Sequence, residues 1–105
     1  MQIQINTDSN IEGREKLADH IKSVVEGAMS RFRERITGVE VHLSDENGLK
    51  SGQDDKRCMM EARLEGRQPE AVTHHAATLD QAINGAANKL QRSIESTLGR
   101  LHDHH

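Results

Sequence analysis

The chain has 105 residues and a formal net charge of -3, with 33% hydrophobic residues, 30% charged residues and a single aromatic, Phe32. That length gives room for one domain around one modest core of Ile, Val, Leu, Met and Ala side chains, and the acidic balance excludes a generally basic coat that binds nucleic acid indiscriminately. No run approaches the roughly 18 apolar residues of a membrane span, and the opening MQIQIN lacks the basic and apolar regions of a signal peptide, so a soluble cytoplasmic protein without a membrane partner is expected.

In MQIQIN, Ile3 and Ile5 alternate with Gln2, Gln4 and Asn6, the period of a half-buried strand. TDSN then supplies turn and cap residues. A long helical pattern follows, in which Leu17, Ile21, Val24, Val25, Ala28, Phe32 and Ile36 recur at three- and four-residue spacing, with Gly38 placed to end it. VEVHLS alternates again, with Val39, Val41 and Leu43 inward and Glu40 and His42 outward. The polar, Gly-containing DENGLKSGQDD is longer than a tight hairpin needs and is expected to have a mobile tip.

KRCMMEARLEG gives a third strand with Cys58, Met60, Ala62 and Leu64 on one face and Met59, Glu61 and Arg63 on the other. Pro69 cannot donate to a ladder and breaks it. EAVTHHAA is a weaker fourth strand, and Thr78 is a good N-cap for a helix to about Leu101, whose apolar stripe is Leu79, Ile83, Ala86, Ala87, Leu90, Ile94, Leu98 and Leu101. The order β-α-β-β-β-α predicts an α+β two-layer sandwich, an antiparallel four-stranded sheet with two helices on one face. Residues 1–101 form the single expected domain, and 102–105 a disordered His-rich tail.

Candidate chemistry is sparse. Cys58 stands alone and on the apolar side of its strand, which reads as a buried reduced thiol. His74 and His75 are neighbours in a strand and must point to opposite faces, one inward and one solvated, so they cannot chelate one ion together. His102, His104 and His105 lie at a terminus where nothing fixes a metal geometry. There is no Gly-rich phosphate loop and no nucleophile with an adjacent base, so the expectation is a non-enzyme with no cofactor and no functional metal.

The last helix carries the most informative charge pattern. At 100° steps, Gly85, Lys89, Arg92, Ser96 and Arg100 share one flank, while Asp80 and Glu95 fall on the opposite one. On the first helix, Lys16, His20, Gly27 and Arg31 share a flank that ends at Glu34. Such stripes offer phosphate contacts; they also occur on many helices that are merely solvated. With no Trp or Tyr and Phe32 on a core stripe, base stacking is excluded, and shape and phosphate recognition remain.

The opening MQIQIN, the helix IEG…LADHIKSVVEGAMSRF and above all TLDQAINGAANKLQRSI resemble the short ribosome hibernation promoting factors and the related ribosome-associated inhibitor, over about residues 1 to 101. Ala82, Ile83, Asn84, Asn88, Lys89, Leu90, Arg92 and Ile94 sit where that family favours Ala-Ile-Asp, then Asp-Lys-Leu, then Arg. The resemblance implies a fold similar to double-stranded-RNA-binding domains. It also implies a stress or stationary-phase role: binding the small ribosomal subunit and its rRNA in the cleft used by messenger and transfer RNA, and so silencing translation. The family's basic helix residues carry over most directly to Lys89 and Arg92; Arg100, Lys22 and Arg31 join them on charge and position. After Arg92 the sequence departs from the family's more strongly basic last helix, with Glu95 and one further arginine. It also stops where longer members carry a linker and a dimerising domain, so pairing of ribosomes by that device is not expected. The alternative is a divergent member acting as a protein interaction module or weak homodimer through the open sheet face bearing Met59, His42 and Gln4.

Overall fold

The computed structural model describes residues 1–8, 11, 13–45 and 55–103. Its elements run β1 (Gln2–Thr7), α1 (Arg14–Met29), a short 3-10 turn (Ser30–Phe32), β2 (Ile36–Asp45), β3 (Lys56–Leu64), β4 (Glu70–Ala76) and α2 (Leu79–Asp103). This is the expected α+β order. The sheet order is β1-β2-β3-β4.

One expectation about the sheet is corrected. β2, β3 and β4 pair antiparallel, but β1 pairs parallel to β2, with Ile3 opposite Val39 and Ile5 opposite Val41. The sheet is therefore mixed. The reason lies in the connection: α1 carries the chain back over the sheet between β1 and β2, and such a crossover returns the next strand in the same direction.

The first helix is also shorter than its periodicity predicts. It ends at Met29, Phe32 lies in the 3-10 turn, and Ile36 opens β2. Ile36-Thr37 are β-branched and fit a pleated strand better than a helix. Gly38 stops no helix; it sits inside β2 beside a register irregularity, where an added Cβ would stand 3.3 Å from the carbonyl oxygen of Gln2. That close approach lets β1 start against β2. At the other end of α1, the cap position is held by Gly13 in the left-handed region (φ 69°), while residues 9 and 10 of TDSN lie outside the described residues.

Thr78 caps α2 as expected, its Oγ1 accepting from the Gln81 amide at 3.1 Å. The helix backbone continues through Asp103, so residues 102 and 103 are helical, while 104 and 105 lie outside the described residues. So do residues 46–54, on which the expectation of a mobile connection falls. Their two anchors are well tied: Lys56 Nζ lies 3.0 Å from Asp55 Oδ1 and 3.3 Å from Asp45 Oδ2, and the Asp45 amide donates to Asp8 Oδ2 at 3.1 Å.

The core fills the space between helices and sheet. α1 contributes Ile21, Val25 and Met29, α2 contributes Ala82, Ile83, Ala86, Ala87, Leu90 and Ile94, and β2 and β3 supply Val39, Val41, Leu43, Cys58, Met60, Ala62 and Leu64, all buried. The inward faces of β2 and β3 are those predicted from alternation. Each fully buried Ile, Leu or Met contributes about 1.5–3 kcal/mol by leaving water, and the small Ala82, Ala86 and Ala87 let α2 lie close to the strands.

Candidate nucleic-acid interface

The two helices lie side by side and run in the same direction, since early residues of one meet early residues of the other and late meet late. His20 Nε2 of α1 is 3.4 Å from Asp80 Oδ1 of α2, and Arg31 Nη1, just past α1, is 3.1 Å from Glu95 Oε1. Both pairs are open to water, with Arg31 70% and Glu95 38% exposed. The basic flank of α1 thus faces the acidic flank of α2. The acids that sequence geometry sets apart from the α2 stripe are the partners of the α1 stripe. Arg31 also lies over the Phe32 ring, 5.9 Å from its centroid.

The opposite flank of α2 hangs over β4. Lys89 is exposed, and its Nζ donates to the Thr73 carbonyl at 2.9 Å, so this cation helps hold the helix to the sheet edge. Ser93 Oγ donates to a Glu70 carboxylate oxygen, linking α2 to β4. Arg92 is exposed, and among the described residues no hydrogen bond or ion pair engages its guanidinium. Lys22 is exposed on the flank of α1 turned away from His20, so it does not face α2. The backbone of Arg100 is helical, and its side chain lies outside the described residues. The structure therefore puts Lys89 and Arg92 on one exposed flank, pairs Arg31 with Glu95 of α2 and sets Lys22 apart.

The histidine pair behaves as alternation requires. His75 is exposed on the outer face, whereas the His74 ring turns inward and rests on α2 at Gly85; a Cβ at that glycine would lie 2.1 Å from His74 Cδ2. Nδ1 of His74 is buried and has no hydrogen-bond partner. Cys58 is fully buried, and loss of solvation pushes its thiol up to about 12, partly offset by Arg57, so it carries no thiolate at neutral pH. Among the described residues no three His, Cys, Asp or Glu side chains gather where a metal ion would fit, and no helix is long and apolar enough to cross a membrane.

The outer face of the sheet presents Gln2, Gln4, Glu40, His42, Met59 and Glu61, and a shallow depression of about 260 Å³ opens there between Gln2, Gln4, Glu40 and Arg63. Met59 is half-buried between His42 and Thr73, and Met1 is the only large hydrophobic residue exposed among the described residues. Among the described residues this face shows no apolar patch of the size that marks an obligate interface.

Comparison with known proteins bears on what these surfaces serve. The fold is similar to the crystal structure of the Thermus thermophilus Protein Y N-terminal domain, with a TM-score of 0.73 and 20% identity, over 92% of this chain and 99% of that one. It is also similar to a ribosomal subunit interface protein from Coxiella burnetii, with a TM-score of 0.68 and 12% identity, over 94% and 99% of the two chains. At such identities the likeness speaks to the fold. No curated protein sequence matches the chain. The sequence profile described as Sigma 54 modulation protein / S30EA ribosomal protein, however, matches residues 3–102, from the first strand to the end of the second helix. A match that spans every element of the sandwich makes this chain a member of the Sigma 54 modulation protein / S30EA ribosomal protein family.

Proposed function

We propose that the protein is a ribosome-binding hibernation factor that occupies the small-subunit cleft used by messenger and transfer RNA, silencing translation under stress or in stationary phase in the cytoplasm. The observation that carries this reading is the family match over residues 3–102. The likeness in fold to a ribosomal subunit interface protein from Coxiella burnetii supports it. The protein acts by occupancy: a rigid sandwich placed in the cleft excludes other ligands, and no bond is made or broken.

Contacts to rRNA run through phosphates, because the only aromatic side chain is buried and cannot stack on bases. Arg92, exposed and without a partner among the described residues, is the best placed cation on α2. Lys89 beside it directs one N–H to the Thr73 carbonyl and has two left for phosphate oxygens. Arg31 and Lys22 extend the contact to the first helix, and Arg100 extends it along the second.

Sedimentation with vacant ribosomes through a sucrose cushion at low and raised salt tests the reading. Salt-sensitive pelleting that is lost in Lys89→Glu/Arg92→Glu, with Arg92→Glu alone intermediate and both variants folded by circular dichroism, is the expected result. A folded wild type that stays in the supernatant at low salt overturns it.

A further inference from the structure

Charge in this molecule is sorted along its length as well as between helix flanks. Because α1 and α2 run in the same direction, both helices start at the end of the sheet where β2 stops and β3 begins. That end is mixed in charge: Lys56 pairs with Asp45 and Asp55, the Asp45 amide donates to Asp8, Asp80 opens α2, and Arg57 and Lys16 lie there too. The opposite end holds two short arginine-rich stretches, RFRER at 31–35 and RLEGR at 63–67, with five arginines against Glu34 and Glu65.

The fold stitches these stretches together. Ile36 pairs with Leu64 and Gly38 with Arg63 across β2 and β3. The Glu65 amide donates to the Arg35 carbonyl at 2.9 Å, Thr37 Oγ1 donates to the Arg63 carbonyl at 3.2 Å, and the Arg67 amide donates to the Leu64 carbonyl at 3.2 Å. All of these bonds use the backbone of the arginines and leave their guanidinium groups out. Residues 30–35 line one depression of about 420 Å³, and Arg67 lines a neighbouring one with Pro69 and Thr97 of α2. Arg31, Arg33, Arg35, Arg63 and Arg67 are all exposed, and among the described residues only Arg31 has an acidic partner, Glu95. Glu70, the other acid nearby, is taken by Ser93.

We infer that this arginine-rich end is a second phosphate-docking surface for RNA, distinct from the α2 flank of Lys89 and Arg92, and that Arg33, Arg35 and Arg67 are its contacts. The inference rests on the RNA-directed reading above. Guanidinium forks on a turn, free of intramolecular acids, match phosphate oxygens in geometry as well as charge. A protein partner would need apolar anchors at the centre of its footprint. Here Phe32 and Leu64 are 8% and 5% exposed and belong to the core, so an RNA backbone fits this surface better than an acidic protein segment does.

The test uses the full chain, a fluorescein-labelled RNA duplex and vacant ribosomes, with Arg33→Gln/Arg35→Gln/Arg67→Gln and the corresponding triple Lys variant. Binding to the duplex is followed by anisotropy between about 50 and 200 mM salt, where each lost phosphate contact lowers the log-log salt slope by about 0.9. The Gln variant is expected to lose about two to three units of slope and roughly 10- to 100-fold in affinity at the low-salt end, while the Lys variant, which keeps the charge, retains the slope. Unchanged affinity and slope in the folded Gln variant overturn the proposal, and so does wild-type binding to poly-glutamate in place of RNA. Ribosome pelleting separates the two readings. Slope loss on the duplex without wild-type pelleting leaves this surface standing and removes the ribosomal role; pelleting of wild type and Gln variant alike, with no change on the duplex, does the reverse.

Discussion

Gly85→Ala should destabilise the domain even though alanine is the better helix former. An added Cβ would lie 2.1 Å from Cδ2, 2.3 Å from Nε2 and 2.6 Å from Cγ of His74, whereas carbon atoms in contact sit about 3.5–4.0 Å apart. Because Cγ is among the clashing atoms, a small tilt of the ring does not relieve the overlap; the imidazole must leave its seat or α2 must lift from β4. Overpacking of this kind costs about 1–3 kcal/mol, and the gain from replacing an interior helical glycine is about 0.8–1 kcal/mol. The net effect is a loss of about 0–2 kcal/mol, with the upper end expected because three ring atoms are overlapped, at roughly 4–8 °C of Tm per kcal/mol in a domain this small. His74→Ala by itself should cost less than about 1 kcal/mol, because it also removes a buried Nδ1 that has no partner. In that background the sign reverses, and Gly85→Ala stabilises by about 1 kcal/mol. Urea unfolding of the four proteins of this cycle by far-ultraviolet circular dichroism is the assay, since a chain without Trp or Tyr offers little fluorescence. An equal effect of Gly85→Ala in both backgrounds would show that the ring does not occupy the space the glycine leaves.

Three further outcomes are expected. Glu95→Gln frees Arg31, and because an exposed pair of this kind is worth about 0.2–1 kcal/mol, ribosome affinity should rise by up to about fivefold while stability falls slightly; weaker pelleting would count against a phosphate role for Arg31. Lys56 is held above its ordinary 10.5, first by its hydrogen bond to Asp55 against some loss of solvation, with Asp45 adding to the effect. A raised lysine stabilises the fold at all pH values below its ordinary value and ceases to do so as pH climbs through its folded value, so the Tm gap between wild type and Lys56→Gln should be constant from neutral pH and close only above about 10.5; a gap that closes near neutrality refutes the assignment. Cys58, buried and pushed up to about 12, should resist iodoacetamide at mildly alkaline pH in the folded protein and react at once in denaturant, a contrast that labelling followed by intact mass spectrometry reads directly.

Alternation and helical period found the elements because those signals are local. Cys58, Met60, Ala62 and Leu64 point inward as a period of two demands, and Thr78 caps the helix that its position announces. The errors came where tertiary context decides. Phe32 and Ile36 continue the apolar spacing of α1 well enough to extend it, yet both are buried through a 3-10 turn and the start of β2, because apolar spacing records that a residue is buried and not which element buries it. Strand direction is equally silent in the sequence: nothing in MQIQIN says which way it faces its neighbour, and the parallel pairing with β2 follows only from the crossover that α1 makes.

The interface was legible in its residues and not in its pairings. Helical-wheel geometry treats each helix alone, and on that footing the acids Asp80 and Glu95 stand clear of Lys89 and Arg92. Two helices on one face of a sheet must, however, turn one flank toward each other, and the flank of α1 that carries His20 and Arg31 is the one that meets those acids. The signal was available: a basic flank on one helix and an acidic flank on the next are complementary when the helices run side by side in the same direction. That complementarity removes Arg31 from the count of free cations and leaves Arg92 in it. The same direction sends both helix starts to the end that holds Asp45, Asp55 and Asp80 and both finishes towards the arginine turns. A net charge of -3 therefore describes neither the flank nor the end of this molecule. RNA would meet this surface one patch at a time, within a screening length of about 8 Å at physiological salt, so on the proposed reading the local balance at Arg92 and at Arg33, Arg35 and Arg67, and not the net charge, is what the salt-dependence assays measure.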